Sequence, residues 1–143
     1  MPRPRVKSKQ VHRDFKTLVA FLARVPAVQV GRGRGSISSG RLEDGRWWVK
    51  FALDVEHPKA WQVVQELGHV LNYLSLEDRL PTVFMPVSPP PYLNGGPGES
   101  LSWVIECHDV DFTPAECAKV LRGRLPRPVH DLTQWDPDAA DAE

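Results

Sequence analysis

The chain is predicted to adopt an α+β fold. The expectation is a single domain with a largely antiparallel sheet of about five strands and about three helices, in the order α-β-β-β-α-β-β-α. Three observations lead there. Apolar residues recur at three- and four-residue spacing in three separated stretches, and they alternate in the stretches between. Candidate strands fall in adjacent pairs with helices between the pairs, which favours antiparallel pairing over a doubly wound parallel sheet. The length of 143 residues suits one domain, and 41% apolar with 25% charged residues is ordinary for a globular chain.

Residues 1–13 hold Arg3, Arg5, Lys7, Lys9 and Arg13 among few apolar side chains, and are expected to form a basic flexible arm. A helix is predicted over 14–25. Phe15, Leu18, Val19 and Leu22 share one face, Asp14 is placed to cap it, and Pro26 ends it. A short β-prone run at 27–30 leads into Gly-Arg-Gly-Arg-Gly at 31–35. A strand over 36–42 and another over 47–55 flank Asp44-Gly45, a two-residue hairpin signal. Alternation puts Trp47, Val49, Phe51 and Leu53 on a core face, and Trp48, Lys50, Ala52 and Asp54 on the other.

The main helix is predicted over 57–75, with Pro58 at its first position and Trp61, Val64, Leu67, Leu71 and Leu74 as the buried stripe. Strands follow at 81–87 and 101–108, separated by a Pro- and Gly-rich loop at 88–98. Thr113-Pro114-Ala115-Glu116 reads as a capping box opening the last helix, with Gly123 as the residue just past its end. The folded domain is thus expected over 14–125, followed by a Pro-rich, acidic tail at 126–143 in which Trp135 is a candidate anchor.

Charge is divided along the chain. Residues 1–50 carry twelve Lys/Arg and three Asp/Glu, a formal +9, and residues 51–143 carry six and fifteen, a formal −9. A half so basic points to an anionic partner. The expected function is a non-catalytic binding module whose basic half holds nucleic acid. Arg3, Arg5, Lys7, Lys9, Arg13, Arg32 and Arg34 would contact phosphates, Trp48 would stack a base, and Lys50 lies beside it. The Gly-Arg-Gly-Arg-Gly string precedes no helix, so a dinucleotide or P-loop site is not indicated.

The alternative is a protein-interaction or inhibitor module. It would act through the acidic half and through the Pro-rich loop, where Pro89-Pro90-Pro91-Tyr92 matches a short polyproline recognition pattern; Pro90, Pro91 and Tyr92 are its candidate contacts. A third reading is a small hydrolase centred on Glu106, His108 and Asp109. Alternation sets Cys107 on the opposite face from His108, and both Cys107 and Cys117 read as small buried hydrophobes. Glu66 and His69 lie one helical turn apart, but no second such pair accompanies them. The residues call for no cofactor and no metal. The longest apolar stretch near the N-terminus, 18–23, is too short to span a membrane, and two cysteines without a secretion signal suit a cytoplasmic setting.

Overall fold

The computed structural model describes residues 15–29, 37–73, 80–87 and 101–136. Helix α1 covers 15–22. Strands β1 (Ser38–Arg41) and β2 (Trp47–Leu53) follow, then helix α2 (Ala60–Gly68), which continues as a π-helical turn at His69–Tyr73. Strands β3 (Thr82–Pro86) and β4 (Leu101–Cys107) precede helix α3 (Pro114–Arg124), and a 3-10 turn at Leu132–Trp135 comes last. The fold is α+β: among the described residues three helices stand beside a four-stranded sheet of order β1-β2-β4-β3 in which every pairing is antiparallel.

The sheet has four strands rather than about five because the run at 27–30 pairs only through Val28, which bridges Leu53. Strand β2 runs antiparallel to β4, and β4 to β3, so β2 and β3 run in the same direction with β4 between them. Joining parallel strands requires a crossover, and α2 supplies it.

All the described helices pack on one face. Trp47, Val49, Phe51 and Leu53 of β2 share a core with Phe84 of β3 and with Trp103, Ile105 and Cys107 of β4. Onto these fall Phe15, Leu18, Phe21 and Leu22 of α1, Val63 and Leu67 of α2, Cys117, Ala118 and Leu121 of α3, and then Leu125, Val129 and Trp135. Rings order parts of this core: Phe84 stacks between Phe51 and Trp103, and Phe15 meets Trp47 edge-on at 6.1 Å.

The hairpin loop is one residue longer than the Asp-Gly signal implied. Leu42 and Arg46 still pair, and Glu43, Asp44 and Gly45 turn the chain between them. Gly45 adopts φ +95°, the left-handed conformation that closes a three-residue loop. The Arg46 N–H and guanidinium both donate to Asp44 and hold its carboxyl below the ordinary value.

Helix α2 departs from its predicted phase. It begins at Ala60 behind Lys59, so Pro58 sits in the preceding turn rather than at the first helical position. Ala60, Val63, Leu67, Val70 and Leu71 are buried, whereas Trp61 is 56% exposed. Val63-Val64 makes two phases almost equally apolar. The turn at 57–60, closed by the Ala60 N–H to the His57 carbonyl, selects the one with small Ala60 inward. At the other end the π turn meets the edge of the sheet. The Asn72 amide donates to the Phe84 carbonyl at 3.0 Å and accepts the Phe84 N–H at 2.7 Å, while the Thr82 hydroxyl donates to the Leu71 carbonyl. One side chain thus occupies backbone groups of edge strand β3 that would otherwise be open to another strand.

Helix α3 has the predicted capping box, with Thr113 and Glu116 exchanging hydrogen bonds. It runs two residues further than expected: Gly123 lies inside it, and Leu125, extended before Pro126, ends it.

Two outcomes follow for stability. Gly45→Ala should cost about 1–3 kcal/mol, because the new Cβ would sit 2.6 Å from Val110 Cγ1 on a left-handed backbone. Gly123→Ala, helical with open space around it, should stabilise by about 0.5–1 kcal/mol. Urea titration reads both, and equal effects would contradict the placement of the two glycines. Asn72→Ala should cost about 1–3 kcal/mol and raise the tendency to self-associate, measured by urea titration and light scattering.

Candidate functional site

The face of the sheet turned away from the helices carries Trp48 and Lys50. Opposite Trp48 in the ladder stand Gly40 on β1 and Glu106 on β4, and beyond Glu106 lies Val83 on β3. The next row is Ser38, Lys50, Val104 and Met85. Trp48, Lys50, Glu106, Val83 and Met85 are all half-buried. None of these side chains belongs to the helix-covered core.

Gly40 sets the posture of Trp48. A Cβ built on Gly40 would lie 2.6 Å from Trp48 Cζ2, 2.7 Å from Cε2 and 2.9 Å from Nε1. The indole therefore lies across the neighbouring strand, in space that only glycine leaves open. Such a ring is pre-positioned, and ordering it costs little when a planar ligand arrives. Lys50 adds a cation two residues along the same face, and Glu106 adds one opposing charge.

Among the basic residues of the first part, Arg41 and Arg46 serve the hairpin. The Arg41 guanidinium lies 5.7 Å from the Phe15 ring centroid and donates to the Gly45 carbonyl, and Arg46 pairs with Asp44. Arg3, Arg5, Lys7, Lys9, Arg13, Arg32 and Arg34 lie outside the described residues, as do Pro90, Pro91 and Tyr92.

The three hydrolase candidates occupy separate settings. Glu106 sits on the outer sheet face, His108 is exposed past the end of β4, and Asp109 accepts the Asp111 N–H in a turn. No hydrogen bond among the described residues joins them. Cys107 and Cys117 are buried free thiols, and removal from water pushes both above the ordinary thiol value. No three His, Cys, Asp or Glu side chains gather as a metal site among the described residues, and no described helix is long and apolar enough to cross a membrane.

Comparison with protein-family models, with curated proteins and with solved structures finds no match.

Two surface features escape a reading by chain halves. Four of the six basic residues after position 50 fall within 119–127 and are exposed, near Arg24 in the turn after α1. The signal was present as an acid-free run between Glu116 and Asp131, masked by the acidic total. Trp61 and Tyr73, 56% and 72% exposed, stand on the outside of α2 and its π turn. The Val63-Val64 ambiguity hid the first of these.

The thiols make a direct test of burial. Neither should react with Ellman's reagent near pH 8 until the chain is unfolded; rapid native-state modification of one equivalent would contradict their placement. The thiols stay protonated in the fold but ionise in the unfolded chain once pH passes their ordinary value of 9.0. Their contribution to stability is therefore complete below that pH and lost above it. Urea midpoints should fall as pH rises beyond 9.0, less steeply in Cys117→Ala.

Proposed function

We propose that this protein is a non-catalytic binding module for nucleic acid, with single strands as the favoured form. The observation that carries the reading is the shared placement of Trp48 and Lys50 on the sheet face turned away from the described helices, with the indole laid across Gly40. An aromatic ring on an open sheet offers a base a stacking surface, and a nearby cation suits the phosphate beside it. Unpaired bases present such faces, whereas duplex bases do not. The basic residues of 1–13 and Arg32 and Arg34 supply further phosphate contacts in this reading. Two buried free thiols fit a cytoplasmic setting, where they stay reduced.

A second reading, a protein-interaction module, is favoured by a different observation. Exposed Trp61 on α2 and Tyr73 at the end of its π turn are residue types enriched at protein interfaces. Its partner would survive Trp48→Ala and be lost on Trp61→Ala with Tyr73→Ala.

Fluorescence anisotropy with a labelled single strand and a duplex, each at two salt concentrations, tests the first reading. The single strand should bind at low salt and more tightly than the duplex. Trp48→Ala should cost about 1–3 kcal/mol of binding. Glu106→Gln should tighten binding by removing the repelling charge, and deletion of 1–12 should flatten the salt dependence. No binding at low salt, or binding indifferent to Trp48→Ala, to that deletion and to Arg32→Ala with Arg34→Ala, overturns the proposal.

A further inference from the structure

The helical side of the domain carries its own concentration of cations. Lys119, Arg122, Arg124 and Arg127 follow one another with no Asp or Glu between Glu116 and Asp131, and all are exposed, as is the imidazole of His130 just beyond them. The packing of α1 against the α3 region brings Arg24 to them. The Arg122 guanidinium lies 6.0 Å from the Phe21 ring centroid, and Arg24 Nη2 lies 3.3 Å from His130 Nδ1. The carboxylates flanking the run are already engaged. Glu116 accepts from the Thr113 N–H and hydroxyl, and Asp131 accepts from the Thr133 N–H and hydroxyl. Among the described residues the ion pair found is Asp44 with Arg46, and it involves none of these cations.

The dipole of α3 explains part of this pattern. Arg122 and Arg124 occupy its last turn, where positive charge is favourable. It does not explain Arg24, which lies in the turn after α1, nor Arg127, which follows the end of α3. Arginines from two separate segments converge on one seam, and among the described residues none of them forms an ion pair with a carboxylate; like charges placed so repel unless an anion lies among them.

We propose that the seam between α1 and the α3 region is a second phosphate-contact surface, gripping the sugar-phosphate backbone of a bound nucleic acid through Arg24 and Arg122, with Lys119, Arg127 and His130 around them. The inference rests on the nucleic-acid reading above and extends it to the opposite side of the domain. Guanidinium groups predominate over ammonium here, and their planar forks match phosphate oxygens. Trp48 reads bases on the sheet face, whereas the seam contributes charge without base selectivity. Its energetic signature is therefore a salt dependence rather than a base preference.

The experiment is anisotropy with a labelled single strand at about 50 and about 200 mM salt. It compares the full chain, Arg24→Gln with Arg122→Gln, Arg24→Lys with Arg122→Lys, and Trp48→Ala. Loss of two phosphate contacts should reduce the log–log salt slope by about 1.4, so the affinity lost across that salt range should shrink roughly sevenfold. The lysine pair should keep the slope, and Trp48→Ala should weaken binding with the slope unchanged. An unchanged slope and affinity in the glutamine pair, while Trp48→Ala still weakens binding, overturns the seam and leaves the sheet-face reading standing. No binding by the full chain overturns both. A poly-glutamate chain that displaces the strand at equal charge concentration, and depends equally on Arg24 and Arg122, assigns the seam to an acidic protein and also overturns the proposal. Unfolding by urea with an unchanged midpoint in the glutamine pair establishes that the fold is intact.

Discussion

The rest of the structure depends on the two unlike faces of β2. Trp47, Val49, Phe51 and Leu53 are almost fully buried, and each such side chain contributes about 1.5–3 kcal/mol when removed from water. The ladder carries the same polarity across to Trp103, Ile105 and Cys107 on β4 and to Phe84 on β3. A sheet so divided must be covered on one side, and the three helices divide that task. The side turned away from the described helices is then where Trp48, Lys50 and Glu106 stand. The division of labour between core and candidate surface is thus a consequence of one strand's period-two pattern.

Indole N–H groups and one amide fasten the layers. Trp47, at the start of β2, donates to the Phe112 carbonyl ahead of α3 and meets Phe15 of α1 edge-on, so one side chain joins three parts of the chain. Trp135 donates to the Val129 carbonyl and places the chain beyond α3 against the core. Asn72 holds the π turn to the edge of β3. In each case a polar group removed from water has found a partner, which is what makes burial of such large side chains tolerable.

Charge organises the surface less simply than its distribution along the chain suggests. Arg41 and Arg46 are engaged within the hairpin, and Asp44 and Asp131 are engaged in turns. What remains free to act is set by those local obligations. The basic groups of the α1–α3 seam come from both the basic and the acidic part of the chain, so folding assembles a positive surface that neither part displays alone.

The amino-acid sequence by itself determined the α+β class, the alternating faces of β2, the capping box of α3 and the burial of both cysteines. These are local properties: alternation, helical spacing and short-range hydrogen bonding are read within a few residues. It also placed Trp48 and Lys50 together, because residues two apart on a strand share a face. Only the tertiary structure decided the four-stranded order, the phase of α2, the posture of Trp48 over Gly40, and the contacts of Arg24 with His130 and of Arg122 with Phe21. Each of those turns on a contact between distant segments. Two adjacent valines allow two helical phases until the preceding turn chooses one, and a glycine on one strand shapes a tryptophan on another only once the register is set. A charge cluster drawn from two distant segments shows only one of its parts, the acid-free run after Glu116, in the linear sequence.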